Sequence, residues 1–156
     1  MWETSRRLCI SKWTLRTGGA DSADEAFRKG CEFIAPHVEL YLPWRGFNGH
    51  EDAYLEVPKR AAYDIAARYH PKWPYLKAPV KALMARNVHQ VLGLNLDSPV
   101  RMVICWTPDG SLDGNGPDSG GTGMALRVAA GEAPMAKVLN LRRPDHRRRV
   151  ESFCGV

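Results

Sequence analysis

The chain has 156 residues, with 22 Lys plus Arg against 17 Asp plus Glu for a net charge of +5, and 44% of its residues are hydrophobic. That length suits a single domain over residues 1–156, and the average charged and apolar fractions exclude disordered, collagen-like and disulfide-scaffold classes. The longest near-apolar run, Val100 to Trp106, contains Arg101 and falls far short of the roughly 20 residues of a membrane helix, so no membrane partner is expected. Glu3, Arg6, Arg7 and Lys12 interrupt the first residues, which lack the apolar stretch of a signal peptide and predict a cytoplasmic protein.

Cys9, Cys31, Cys105 and Cys154 show no paired CxxC spacing and read as buried reduced thiols. His37, His50, His70, His89 and His146 are equally scattered, so neither a metal site nor a cofactor is expected.

In chain order, Glu3 to Lys12 reads as a short helix and Thr14 to Thr17 as a strand that stops at Gly18-Gly19. Asp21 has the side chain of an N-cap, and Ala23, Ala26, Phe27, Gly30, Cys31 and Ile34 follow at helical spacing. Val38 to Tyr41 is the next strand candidate, and Pro43 to Glu56 reads as a long irregular loop. Pro58 opens a helix through about Tyr69 with a stripe of Ala61, Ala62, Ile65 and Ala66, ended by His70-Pro71. From Pro79 a second helix carries Val80, Leu83, Met84, Val88, Val91 and Leu92 at three- and four-residue steps, with Gly93 at its C-terminal cap.

Val100 to Trp106, β-branched and apolar on both faces, predicts the central strand of a parallel sheet. A loop rich in Gly, Pro and Asp follows from Thr107 to Gly121, then a helix over Thr122 to Ala130, a strand over Ala136 to Asn140 and a helix over Pro144 to Phe153. Strands alternating with helices predict an α/β fold with one parallel sheet flanked by helices, whose ligand edge lies at the strand C-terminal ends. Arg142, Arg143, Arg147, Arg148 and Arg149, set against Asp145 and Glu151, make the segment 142–153 a basic terminal helix that can contact phosphate backbones.

Two turns share a design: Thr17-Gly18-Gly19-Ala20-Asp21 after the first strand and Ser119-Gly120-Gly121-Thr122-Gly123 before the fifth helix. Glycine allows positive φ and close approach of a ligand to the backbone, and a helix N-terminus favours an anion such as phosphate. Arg86 supplies a planar donor fork for phosphate or carboxylate, or is a surface arginine of an amphipathic helix. Trp44, Trp73 and Trp106 offer stacking surfaces for a base, or simply core packing.

The segments Thr14 to Phe27, Glu39 to Asn48, Leu83 to Asn87, Val103 to Gly110 and Gly120 to Thr122, taken in order, resemble the SLOG superfamily. Its members include the Rossmann-like domain of DprA (Smf), the Lonely Guy phosphoribohydrolases and sensors of nucleotide-derived signals, and the nearest likeness is to small DprA-like proteins of bacteriophages and prophages. The resemblance implies a Rossmann-like fold and places ligand contacts at Gly18, Gly19 and Asp21, at Arg86 and Asn87, at Thr107, Pro108 and Asp109, and at Gly120, Gly121 and Thr122. It also implies a homodimer, and a host-cytoplasmic location for a phage-encoded chain.

Two departures qualify it. Members begin with a strand ending in a Gly-Ser-Arg type turn, whereas a helix candidate opens this chain, which implies a sheet lacking that strand and a pocket open there or completed by another subunit. The Lonely Guy hydrolases follow the arginine with lysine and carry a catalytic glutamate in their glycine turn, whereas Asn87 follows Arg86 here and Leu126 or Arg127 stands at the carboxylate position. Departure of a base through an oxocarbenium-like transition state is helped by a carboxylate, which an aliphatic side chain cannot replace. Asp109, Asp113 and Asp118 on the neighbouring loop, or Asp21 and Asp24 at the first turn, are the acids that could substitute.

The leading expectation is a non-catalytic module that binds, and can sequester, a nucleotide or nucleotide-derived signal. The alternatives are a DprA-like single-stranded DNA binder using the five C-terminal arginines and aromatic loop residues, a nucleotide N-glycosidic hydrolase, and an interaction protein that has kept the fold without the ligand.

Overall fold

A computed structural model of the chain describes residues 1–21, 23–31, 38–50, 58–116 and 119–153. Its first unit is helical: α1 (Trp2–Ile10) and α2 (Ala23–Cys31) flank β1 (Leu15–Thr17) in the chain. Glu3 stands in the first turn of α1, and Asp24 and Glu25 in that of α2, where carboxylates oppose the positive end of the helix dipole. The two helices approach so closely that a Cβ on Gly30 would fall 1.9 Å from Ser5 Oγ and 2.3 Å from the carbonyl oxygen of Trp2. They are also joined covalently, because Cys9 and Cys31 form a disulfide. This corrects the expectation of reduced thiols for that pair, whose sequence spacing carries no signature of the contact. Cys105 is a free, buried thiol, and Cys154 lies outside the described residues.

β1 pairs in parallel with β2 (Val38–Leu40), placing Leu15 opposite Val38 and Thr17 opposite Leu40. Arg16 Nε donates to Glu39 Oε2 at 2.7 Å across this pair, and the Tyr41 hydroxyl donates to the same oxygen at 2.7 Å.

The largest core lies among three helices, α3 (Arg60–Tyr69), α4 (Ala78–Leu92) and α5 (Gly120–Glu132). Alanines at 62, 66, 85 and 129 let the helix backbones come close, and Val88, Val91, Met124 and Val128 fill the space between them. α4 ends where Gly93 takes a φ of +78° and its N–H caps the His89 carbonyl. His89 is itself buried: its Nδ1 lies 3.0 Å from the Gly93 carbonyl, and its Nε2 accepts the Lys59 N–H at 3.2 Å. Those partners assign the proton to Nδ1.

A second parallel pair joins β3 (Met102–Cys105) to β4 (Lys137–Asn140), with Met102 opposite Lys137 and Ile104 opposite Leu139. Phe27, Leu139, Leu141 and Val150 form a smaller core there, with Leu15, Met102 and Ile104 packed against it and α6 (Pro144–Phe153) contributing Val150. Among the described residues the architecture is therefore mixed α/β with two separate parallel pairs, where the sequence pattern predicts one sheet. Among the described residues β3 is paired on one edge only, and of its residues only Cys105 is buried. The expectation of a central strand rested on its apolar character on both faces, which reports burial of the faces and says nothing of how many neighbours the backbone has.

No helix among the described residues is long and apolar enough to cross a membrane.

Candidate functional site

A cleft of about 440 Å³ separates β1 from β3. The two strands run in the same sense against α4. A Cβ on Gly18, just past β1, would overlap the Arg86 guanidinium, whereas Val100, just before β3, donates its N–H to the Val91 carbonyl at 2.8 Å. Asn87 Nδ2 donates to the Gly121 carbonyl at 3.0 Å, tying α4 to the start of α5 beyond the end of β3. The strand C-terminal ends, the first glycine turn and the N-terminus of α5 thus meet around Arg86.

Arg86 is buried at 5% exposure. Its Nη1 donates to Asp24 Oδ2 at 3.2 Å, its guanidinium carbon stands 6.0 Å from the centre of the Phe47 ring, and its Nε has no hydrogen-bond partner among the described residues. Desolvation lowers its pKa and the Asp24 carboxylate opposes that shift, so the group stays cationic. A buried donor left unbonded costs about 1–3 kcal/mol, more on a charged group.

The first glycine turn carries its own anion. Asp24 Oδ2 accepts the N–H of Gly18 at 3.2 Å and that of Ala20 at 3.3 Å in addition to Arg86 Nη1. Gly19 takes a φ of +63°, and its carbonyl accepts Asn48 Nδ2 at 3.0 Å, so the loop after β2 folds onto the turn. Asp21, the expected helix cap, is exposed at the cleft lining and makes no hydrogen bond among the described residues, whereas Asp24 gathers the turn amides.

Among the described residues the second glycine turn is open. The Ser119 hydroxyl is committed to the carbonyls of Gly114 at 3.0 Å and Gly116 at 2.9 Å, and it does not cap α5. Gly120, with φ +51°, and Gly121 are exposed, and a Cβ on Gly120 would meet nothing within 4 Å. Gly121 and Thr122 line the cleft. A helix start that no side chain among the described residues caps, lying at a cleft, presents a positive potential to an anion.

Other expected contacts are placed differently. Thr107 is fully buried, and its hydroxyl accepts Asn140 Nδ2 at 2.7 Å. Asn140 also donates to the Ser111 carbonyl at 2.8 Å, and its oxygen accepts the N–H of Arg142 at 3.0 Å, so the pair organises the loop after β3. Asp109 Oδ1 accepts the Ser111 N–H at 3.0 Å within that loop, and Pro108 accepts Arg142 Nε at 3.4 Å; none of Thr107, Pro108 and Asp109 lines the cleft. Trp106 lines it and is 44% exposed. Trp44 packs edge-on against Phe47 at 5.2 Å and so stands one ring away from Arg86. Leu126 is buried, and Arg127 Nε donates to the Tyr69 carbonyl at 2.8 Å. Asp118 lies outside the described residues.

Asp24 was visible in the sequence as an acid at a helix start, but Phe47 and Asn48 were legible only as part of an irregular loop. Arg142, Arg143, Arg147, Arg148 and Arg149 are all exposed, with Arg143 4.0 Å from Asp145 and Arg147 Nη2 bonded to the Leu141 carbonyl at 3.1 Å. No cluster of three or more His, Cys, Asp or Glu suited to a metal occurs among the described residues. Compared with protein-family models, with curated proteins and with solved structures, the chain matches none.

Proposed function

We propose that the chain binds a nucleotide or nucleotide-derived ligand without turning it over, in a Rossmann-like arrangement of the SLOG kind. The observation that carries this reading is the buried Arg86 guanidinium, which lines the cleft near the glycine-rich start of α5, where the Ser119 side chain makes no capping bond. A phosphate there would accept from the Arg86 guanidinium and from the first amides of α5, with the base against Trp106. The first turn then serves as a support: Asp24 already takes the Gly18 and Ala20 amides and steadies Arg86. A non-catalytic role is favoured because the positions that resemble a catalytic carboxylate hold buried Leu126 and backbone-tied Arg127.

The test is calorimetric titration and thermal shift with AMP, ADP and cyclic ADP-ribose. At least one is expected to raise Tm by several degrees with no base release by chromatography, and Arg86→Ala is expected to weaken its binding about 10- to 100-fold, the worth of one charged hydrogen bond. Unchanged affinity in the variant would remove Arg86 from the site, and base release would transfer the reading to a hydrolase.

A second reading is favoured by the exposure of all five arginines from Arg142 to Arg149 beside the loop that holds Pro108. A single-stranded DNA site built on them would weaken steeply with salt, by a log–log slope of about −0.7 per phosphate neutralised.

A further inference from the structure

We propose that the cleft between the two strand pairs is a slot for one extended, apolar segment of another polypeptide, which joins them into a single five-stranded sheet. The backbone defines the occupant. In a parallel ladder, alternate residues of a strand turn their N–H and C=O to each side. Thr17 accepts Tyr41 N–H at 2.9 Å, and Arg101 and Cys105 accept the N–H of Lys137 at 2.9 Å and of Leu141 at 2.7 Å. With Arg16 opposite Glu39, Met102 opposite Lys137 and Ile104 opposite Leu139, the bonds to β2 and β4 engage Leu15, Thr17, Val103 and Cys105. The N–H and C=O groups of Arg16, Met102 and Ile104 therefore point away from β2 and β4, along the edges that line the cleft, and no described residue bonds them. Both edges run the same way along α4, so one strand between them can bond both.

The remaining walls state the side-chain chemistry. Leu8 and Phe27 from α1 and α2, and Val91 and Ala125 from α4 and α5, close the slot around the apolar strand residues. Of the charged lining residues, Asp21, Asp24 and Arg86 gather at the C-terminal end of the strands, where the phosphate is proposed to sit, and Arg16 within β1 has its guanidinium bonded to Glu39 and Ser98. An uncharged segment about as long as the four residues of β3, with β-branched side chains on both faces, fits this environment. It would also complete the burial of Met102, Val103 and Ile104, which are only half-buried.

The probe is an acetylated and amidated heptapeptide, KTVVIVK, whose terminal lysines keep it soluble. Hydrogen exchange at the amides of Arg16, Met102 and Ile104 is expected to slow at least tenfold with the peptide and to be unchanged with the same peptide N-methylated at alternate residues. Ile104→Pro removes a donor that faces the slot and takes no part in pairing with β4, so it is expected to abolish peptide protection while the β4 amides stay protected. Arg86→Ala is expected to keep peptide protection while losing nucleotide, which separates the two sites. The proposal falls if peptide at about 1 mM, a weak-binding concentration, protects none of the three amides. It falls equally if the N-methylated peptide protects them as well, or if they exchange slowly in the free protein, in which case this chain or a second copy already covers the edges.

Discussion

Asp24 and Arg86 show how single residues take roles that spacing alone leaves open. One carboxylate oxygen receives two turn amides and a guanidinium, so an acid that could have been a proton donor, a helix cap or a ligand contact is an internal anion. Cys105 is similarly decided by surroundings: burial, reinforced by the charge of Asp109, pushes its thiol up to about 12, leaving it inert as a nucleophile near neutrality. His70 moves the other way. Burial, then the nearby charge of Arg127, lowers its pKa from 6.5, and its Nδ1 accepts the Lys72 N–H at 3.3 Å, a bond that protonation there would remove. The folded state therefore binds this proton less readily than the unfolded chain. The stabilising contribution is fully present above pH 6.5 and is lost as the pH falls through the depressed folded value. Denaturant unfolding followed from pH 8 to 5 is expected to show this decline, and His70→Asn is expected to flatten that part of the curve; an identical curve for the variant would assign the decline to other groups.

At the level of elements, the tightest contact is between α1 and α2. Gly30 is required there by approach and not by φ, because an added Cβ would meet the Trp2 carbonyl, which is backbone and cannot swing aside. Gly30→Ala is expected to cost about 1–3 kcal/mol, the range for overpacking, read as a lower denaturation midpoint with unchanged m-value. The Cys9–Cys31 bond closes a loop with a sequence separation of 22, which by the chain-entropy account stabilises by about 3 kcal/mol. Reduction is expected to lower Tm by roughly 10 °C in a domain of this size. A Tm insensitive to reductant would show that the packing of α1 on α2 is sufficient without the link.

Helices were the most legible elements. The stripe from Val80 to Leu92 ending at Gly93 located α4 closely, and Pro144 to Phe153 matches α6, because a periodic apolar face and its caps are written locally. All four strands were also found near their observed positions, from β-branched runs bounded by turn residues. Ile34 and the later half of the Pro43 to Glu56 loop lie largely outside the described residues. What periodicity could not supply was pairing: β3 has the composition of a strand covered on both faces, yet one of its edges opens on the cleft.

Across the whole molecule, two cores lie on either side of that cleft, one among α3, α4 and α5 and one where α6 and α2 meet the β3–β4 pair. The sequence by itself determined the kinds of element, their order and the mixed α/β class, because those follow from patterns within about fifteen residues. It also brought Arg86 and the two glycine turns forward as a group, and the fold sets them around one end of the cleft. Only the tertiary structure decided that one turn is already filled by Asp24 while Ser119 leaves the other without a side-chain cap, that Thr107 belongs to the Asn140 network, and that Cys9 reaches Cys31. Each of those depends on which distant groups share a few ångströms of space, and the strength and partner of a polar interaction are set by that proximity and burial, which no local pattern encodes.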